Sequence, residues 1–150
     1  MDVDELDAIQ RRTFARATAP TLSSYSLLTR LAGERLSGYI DSRAFAVVSS
    51  TRPDGRPHSA ITSFFRRGST FWLPAVAGSV RAKNVGTNPW LVLVITEGDR
   101  DKHIAVIIEG PGAAVSAVDT PTEVAASARW APVWLRLDAQ RILSYSSDES

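Results

Sequence analysis

Cysteine is absent from this 150-residue chain, which excludes disulfides, thiolate metal sites and cysteine nucleophiles. Histidine occurs only as His58 and His103. Neither has a carboxylate at ligand spacing, so no metal centre is expected. Charge of one sign is also missing: 17 basic and 16 acidic residues leave a formal net charge of +1, which argues against a general nucleic-acid binder. The longest apolar runs, residues 90–95 and 104–108, fall far short of the ~20 residues that a membrane helix needs. The opening Met-Asp-Val-Asp-Glu-Leu-Asp is acidic where a secretory leader would be basic. A soluble, cytoplasmic protein with no membrane and no nucleic-acid partner is the expectation. No P-loop or dinucleotide-type glycine motif and no supported Ser/His/Asp arrangement occurs. Any difficult chemistry would therefore fall to a cofactor.

What is present suits one domain with a real core and is too short for two. Two helical segments are expected first. Residues 4–17 place Leu6, Ile9 and Phe14 on one side. Residues 24–36 carry Leu27, Leu28, Leu31 and Leu36 and stop at Gly38, with Pro20 separating the two. After Ser42 the period becomes that of strands: residues 45–50, 58–65, 70–73, 90–96, 104–110, 113–117, 133–137 and 142–145. The turns are Arg52-Pro-Asp-Gly55, Arg67-Gly-Ser69 and the charged 97–102. Gly110-Pro-Gly112 marks a bend or bulge. Thr120-Pro-Thr-Glu123 has the pattern of a capping box, with Thr120 as N-cap of a short helix ending near Arg129. Residues 144–150 read as a polar tail.

Hairpin-length connections imply antiparallel pairing, and many short alternating strands suggest closure into a barrel. The expected fold is mainly β: an antiparallel six- to seven-stranded barrel with N-terminal helices and a short late helix. The expected boundaries are a helical extension over 1–41, the barrel over 42–145 and a tail over 146–150.

The segment Gly78-Ser-Val-Arg81-Ala-Lys83-Asn84-Val-Gly-Thr-Asn88-Pro89 places a hydroxyl, two cations and an amide within six residues. Ser79 suits an N-cap, and Gly86, Asn88 and Pro89 oppose a long helix. A helix N-terminus with a neighbouring Arg or Lys suits an anion such as a phosphate ester. The ordinary alternative is a solvated basic helix face.

In order, the chain then shows Arg52-Pro-Asp-Gly-Arg-Pro-His58, Gly68-Ser-Thr-Phe-Trp72, Ser79-Val-Arg81-Ala-Lys83-Asn84, Asn88-Pro89 and Val106-Ile-Ile-Glu-Gly110. This succession over residues 38–117, with 133–145 fitting the closing strands, resembles the pyridoxamine 5′-phosphate oxidase-like, flavin-binding split-barrel superfamily. The resemblance implies a homodimer holding FMN, or the deazaflavin F420, at its interface. It implies that Arg81 binds the cofactor phosphate within a Ser79, Arg81, Asn84 pattern, with Lys83 as a second cation. It further implies that main-chain groups of Ala60, Ile61, Thr62 and Ser63 meet the polar edge of the ring system. The basic and histidine residues of true oxidases near the C-terminus are missing, so vitamin B6 oxidation is not expected.

His58 could donate to a flavin edge or be a turn-end surface residue. Trp72 could stack near the cofactor or belong to the core. Trp90, Trp130 and Trp134 read as core or interface anchors, and His103 as solvated. Arg66 and Arg67 read as a solvated hairpin tip, or as further cations, with Arg129, for the acidic tail of F420. The implied activity is flavin-mediated hydride transfer on a small molecule. The alternatives are an F420-dependent reductase and a non-catalytic flavin carrier or cofactor-free barrel. An OB-like nucleic-acid module finds only a faint signal in Phe64, Phe65, Arg66 and Arg67.

Overall fold

The computed structural model describes residues 2–25 and 29–147. Helix α1 (Asp2–Ala15) buries Leu6, Ile9 and Phe14, the side expected of it, and ends two residues early. The second expected helix is replaced by two: α2 (Ala19–Ser24), with Pro20 in its first turn, and α3 (Glu34–Ser42). Leu27 and Leu28 lie outside the described residues. Gly38 does not stop a helix. It lies within α3 on the exposed side, where a Cβ would meet nothing within 4 Å. Leu36, Ser37 and Ile40 are the residues α3 buries.

Eight strands follow among the described residues, all pairing antiparallel: β1 (Phe45–Thr51), β2 (Pro57–Ser63), β3 (Phe65–Arg67), β4 (Thr70–Ala75), β5 (Trp90–Gly98), β6 (His103–Ser116), β7 (Val133–Asp138) and β8 (Arg141–Ser146). Between β4 and β5 runs α4 (Val80–Thr87), and before β7 runs α5 (Thr122–Ser127). The strand order is β2-β1-β5-β6-β7-β4-β3, with β8 also on β6. The sheet curls into a half-barrel, as the expected split barrel requires, and its count exceeds six or seven because β3 is a three-residue ribbon.

Gly110-Pro-Gly112 does not interrupt β6; it is where β6 changes partners. Ile104–Glu109 pair with β8, whereas Gly112–Ser116 pair with β7. A Cβ on Gly110 would stand 1.9 Å from the Asp138 carbonyl oxygen, and one on Gly112 would stand 2.7 Å from Leu91. Both distances are below any real contact, so the strand turns between the two halves only because side chains are missing there.

Alternation sets the two faces. Ala46, Val48, Leu91, Leu93, Ile95, Val106, Ile108 and Ile142 point inward and are buried, a core that α1 and α3 cap from one side. A second cluster of Trp72, Val124, Ala131 and Trp134 lies on the other side of β4, beneath α5. Thr120 is not the cap of α5. Its hydroxyl donates to the Ala117 carbonyl at 2.7 Å, closing a 3₁₀ turn, and Pro121 takes the N-cap position. Nor is Ser144 part of a tail, because Ser144 and Ser146 are fully buried in β8.

Candidate functional site

Helix α4 starts where the sequence places it. The Ser79 side chain accepts from the Ala82 N–H at 3.3 Å, and the Asn88 N–H closes the far end on Asn84 O at 2.8 Å. In the first turn of the helix, Arg81 reaches back to β4, where its Nη2 donates to the Pro74 carbonyl at 2.9 Å. Its Nε is buried and has no hydrogen-bond partner. Burial pulls the guanidinium below its ordinary pKa, although it stays charged at any ordinary pH. A half-desolvated cation with an unmet donor is unfavourable as it stands, and an oxygen-rich anion relieves both costs. Lys83 is exposed on the same helix.

Asn84 is almost fully buried and donates to Ser50 Oγ of β1 at 3.1 Å. This bond, with Asn88 Nδ2 donating to the Thr51 and Arg52 carbonyls at 3.2 Å each, fastens α4 across the end of β1. Ser50 stands opposite His58 in the β1–β2 register. His58 therefore flanks the α4 corner, half-buried, and its Nδ1 is a second buried nitrogen with no partner. Four buried side-chain atoms among the described residues lack a partner. Two of them, on Arg81 and His58, belong to this one corner.

The run of four on β2 divides between two faces. Ala60 and buried Thr62 share the inner face with His58, whereas Ile61 and Ser63 face outward. The Thr62 hydroxyl donates to the Ser63 carbonyl at 2.8 Å. The side chains cannot line one surface together, but the main chain can. Among the described residues β2 pairs only with β1, so its other edge presents unladdered N–H and C=O groups. Outward, Ile61 and Phe45 are 69% and 65% exposed and border an open groove of about 430 Å³ with Val47 and Val94.

Trp72 is a core residue, packed with Val124, Ala131 and Trp134, with the Arg136 guanidinium 5.7 Å from its ring. Trp134 is buried, whereas Trp130 and Trp90 are partly or largely exposed. His103 is exposed and stacks on Tyr145 at 4.9 Å. Arg66 is not at a solvated tip. Its Nε and Nη2 grip both carboxylate oxygens of Asp41 on α3 at 2.8 and 2.6 Å, and Nη1 donates to Gly68 O. Arg67 pairs with Glu123 at 2.9 Å. Sequence reasoning missed Ser50 and the Pro74 carbonyl. Ser50 carries a readable signal, a hydroxyl at the inward position that follows apolar Ala46 and Val48. A carbonyl carries none.

The family model for pyridoxamine 5′-phosphate oxidase matches residues 33–146. The chain belongs to this family. Its split barrel is shared with solved structures of low identity. The conserved hypothetical protein Rv2991 from Mycobacterium tuberculosis superposes with TM-score 0.71 at 19% identity, covering 83% of this chain and 91% of that one. A FAD-binding protein from Mycobacterium smegmatis gives 0.61 at 18%, covering 79% and 97%. The heme storage protein HutZ from Vibrio cholerae gives 0.62 at 14%, covering 77% and 95%. No curated protein sequence matches the chain. Among the described residues of this member of the pyridoxamine 5′-phosphate oxidase family, no helix is long and apolar enough to cross a membrane, and no group of three or more His, Asp or Glu is placed to hold a metal ion.

Proposed function

We propose that the chain is an FMN-binding oxidoreductase that works as a homodimer on a small molecule. The observation that carries this reading is the buried, unpartnered Nε of Arg81 beside the capped N-terminus of α4. Arg81, with the Ser79 turn and Lys83, would hold the phosphate. The free edge of β2 over Ala60, Ile61, Thr62 and Ser63 would meet the polar rim of the ring, and His58 Nδ1 would supply or accept one bond. Asn84 acts on the site through Ser50, by fixing the helix. Bound FMN would supply hydride transfer, and the residues of this corner bind and orient. The FAD-binding relative supports a flavin in this fold. FMN is favoured over F420 because Arg66 and Arg67, two of the three cations considered for an acidic tail beside Arg129, are already engaged with Asp41 and Glu123.

The exposed Phe45 and Ile61 beside their groove support a second copy on the outer face of β1 and β2. An Ile61→Asp variant is expected to elute as a monomer in light-scattering chromatography, and an unchanged dimer would place the interface elsewhere.

Visible absorbance spectra of the purified protein, with FMN and then F420 added, test the cofactor. Flavin maxima that shift and saturate with FMN support the reading. Tighter titration by F420 replaces FMN with the deazaflavin, and no binding of either leaves a barrel without this function. NADH- or NADPH-driven reduction of an electron acceptor by the loaded protein separates an enzyme from a flavin carrier.

A further inference from the structure

Arg12 and Arg16, one turn apart near the end of α1, and Arg141, at the start of β8, line one recess of about 220 Å³ with Thr13 and Gln140. The recess is built from elements far apart in sequence. The buried Thr13 hydroxyl donates to Ile9 O at 2.8 Å and accepts the Ile142 N–H at 3.1 Å. That clamp fixes the last turn of α1 against β8 and so brings the three arginines to the lining of one recess.

The carboxylate paired with a lining arginine here is Glu109, on Arg141 at 3.3 Å. The carbonyl end of α1 contributes roughly half a negative charge. Three cations against these leave about +1.5 in a small recess, on a chain whose net charge is +1. Like charges one helical turn apart repel, so the arrangement favours a compact dianion. Planar guanidinium forks match phosphoryl oxygens two at a time. The size suits a phosphoryl or diphosphoryl group rather than a polymer, and the near-neutral net charge lacks a polyanion footprint.

We infer that Arg12, Arg16 and Arg141 form a second anion site, which takes the phosphoryl or diphosphoryl group of a small phosphorylated molecule. It shares no residue with the α4 corner, and its existence does not rest on flavin binding.

Calorimetric titration with pyrophosphate, on the FMN-saturated protein and again on the Arg81→Ala variant, tests it. Saturable binding is expected in both, weakened at least tenfold in an Arg12→Gln, Arg16→Gln double variant whose thermal melt and FMN titration are unchanged. These two side chains are exposed, so the double variant folds. ADP binding more tightly than pyrophosphate would identify a nucleotide diphosphate as the source of the group, and equal binding a simpler phosphate. No saturable binding at millimolar pyrophosphate, or binding lost with Arg81 and kept without Arg12 and Arg16, overturns the assignment.

Discussion

Two corners of this barrel bury polar side chains, and they do so in opposite ways. Where α1 meets β8, Gln10 Nε2 donates to Leu31 O at 2.5 Å and to Asp7 Oδ1 at 3.2 Å. Its Oε1 accepts from Ser144, whose Oγ in turn accepts the Leu31 N–H at 2.9 Å. Asp7 is closed off by Arg11 at 3.0 Å. Where α4 meets β1 and β2, Asn84 and Ser50 are paired, but Arg81 Nε and His58 Nδ1 are left over. A satisfied buried network adds rigidity and specifies how a helix docks. An unsatisfied one lowers stability until something external completes it. The first corner is architecture; the second is where we propose that a ligand binds.

The largest expected effect comes from breaking the satisfied corner. Gln10→Ala leaves the Leu31 carbonyl and the Ser144 hydroxyl proton only their long 3.4 Å contact with each other and takes a donor from Asp7, and should cost about 1–3 kcal/mol in denaturant unfolding, on the scale of one unmet buried group. FMN affinity should be unchanged. At the other corner, Arg81→Met removes an unmet donor and a partly desolvated charge while giving up one bond to Pro74. Stability should move by no more than about 1 kcal/mol, although the position is central to ligand binding. A large loss in both variants would erase the distinction between the corners.

The smallest effect belongs to a third, wholly exposed polar turn. Asp99 accepts the N–H groups of Asp101 and Lys102 at 2.8 and 3.0 Å, and the Lys102 bond, then the Asp101 bond, hold its carboxyl below the usual aspartate range. The unfolded chain therefore binds the proton more readily. The contribution of this turn is present above the ordinary aspartate pKa and lost as pH falls through the depressed folded value. An Asp99→Ala variant should show a shallower acid loss of stability than the parent, and superimposable acid limbs would deny the turn any role.

The frame around these corners is legible in the sequence; the contrast between them is not. The Ser79 cap, the end of α4 near Asn88 and the strand alternation are local, written in spacing and turn chemistry. The leucine period of 24–36 predicts a helix where residues 29–33 form none, and α3 opens only after Gly33, whose φ of 59° lies outside the helical region and favours glycine. Arg66 and Asp41 lie 25 positions apart, and no spacing rule announces their pairing. The capping-box pattern at Thr120 fails because the helix starts one residue later, with Pro121 at the N-cap, so Glu123 is not at the third helical position; the Thr120 hydroxyl instead donates back to Ala117 O. Two things lay beyond pattern altogether: which nitrogens remain unpaired, and the recess shared by Arg12, Arg16 and Arg141. Both depend on how distant elements meet.

The most direct test is the ratio of FMN to riboflavin affinity, measured by fluorescence quenching in the parent and in Arg81→Ala. The two ligands differ by the phosphate alone. The parent should prefer FMN by tenfold or more, on the scale of about 1.5–3 kcal/mol for a bond to a charged group, and Arg81→Ala should bring the ratio close to one. A preference for FMN that survives the loss of Arg81 would contradict the assignment of this corner to the phosphate.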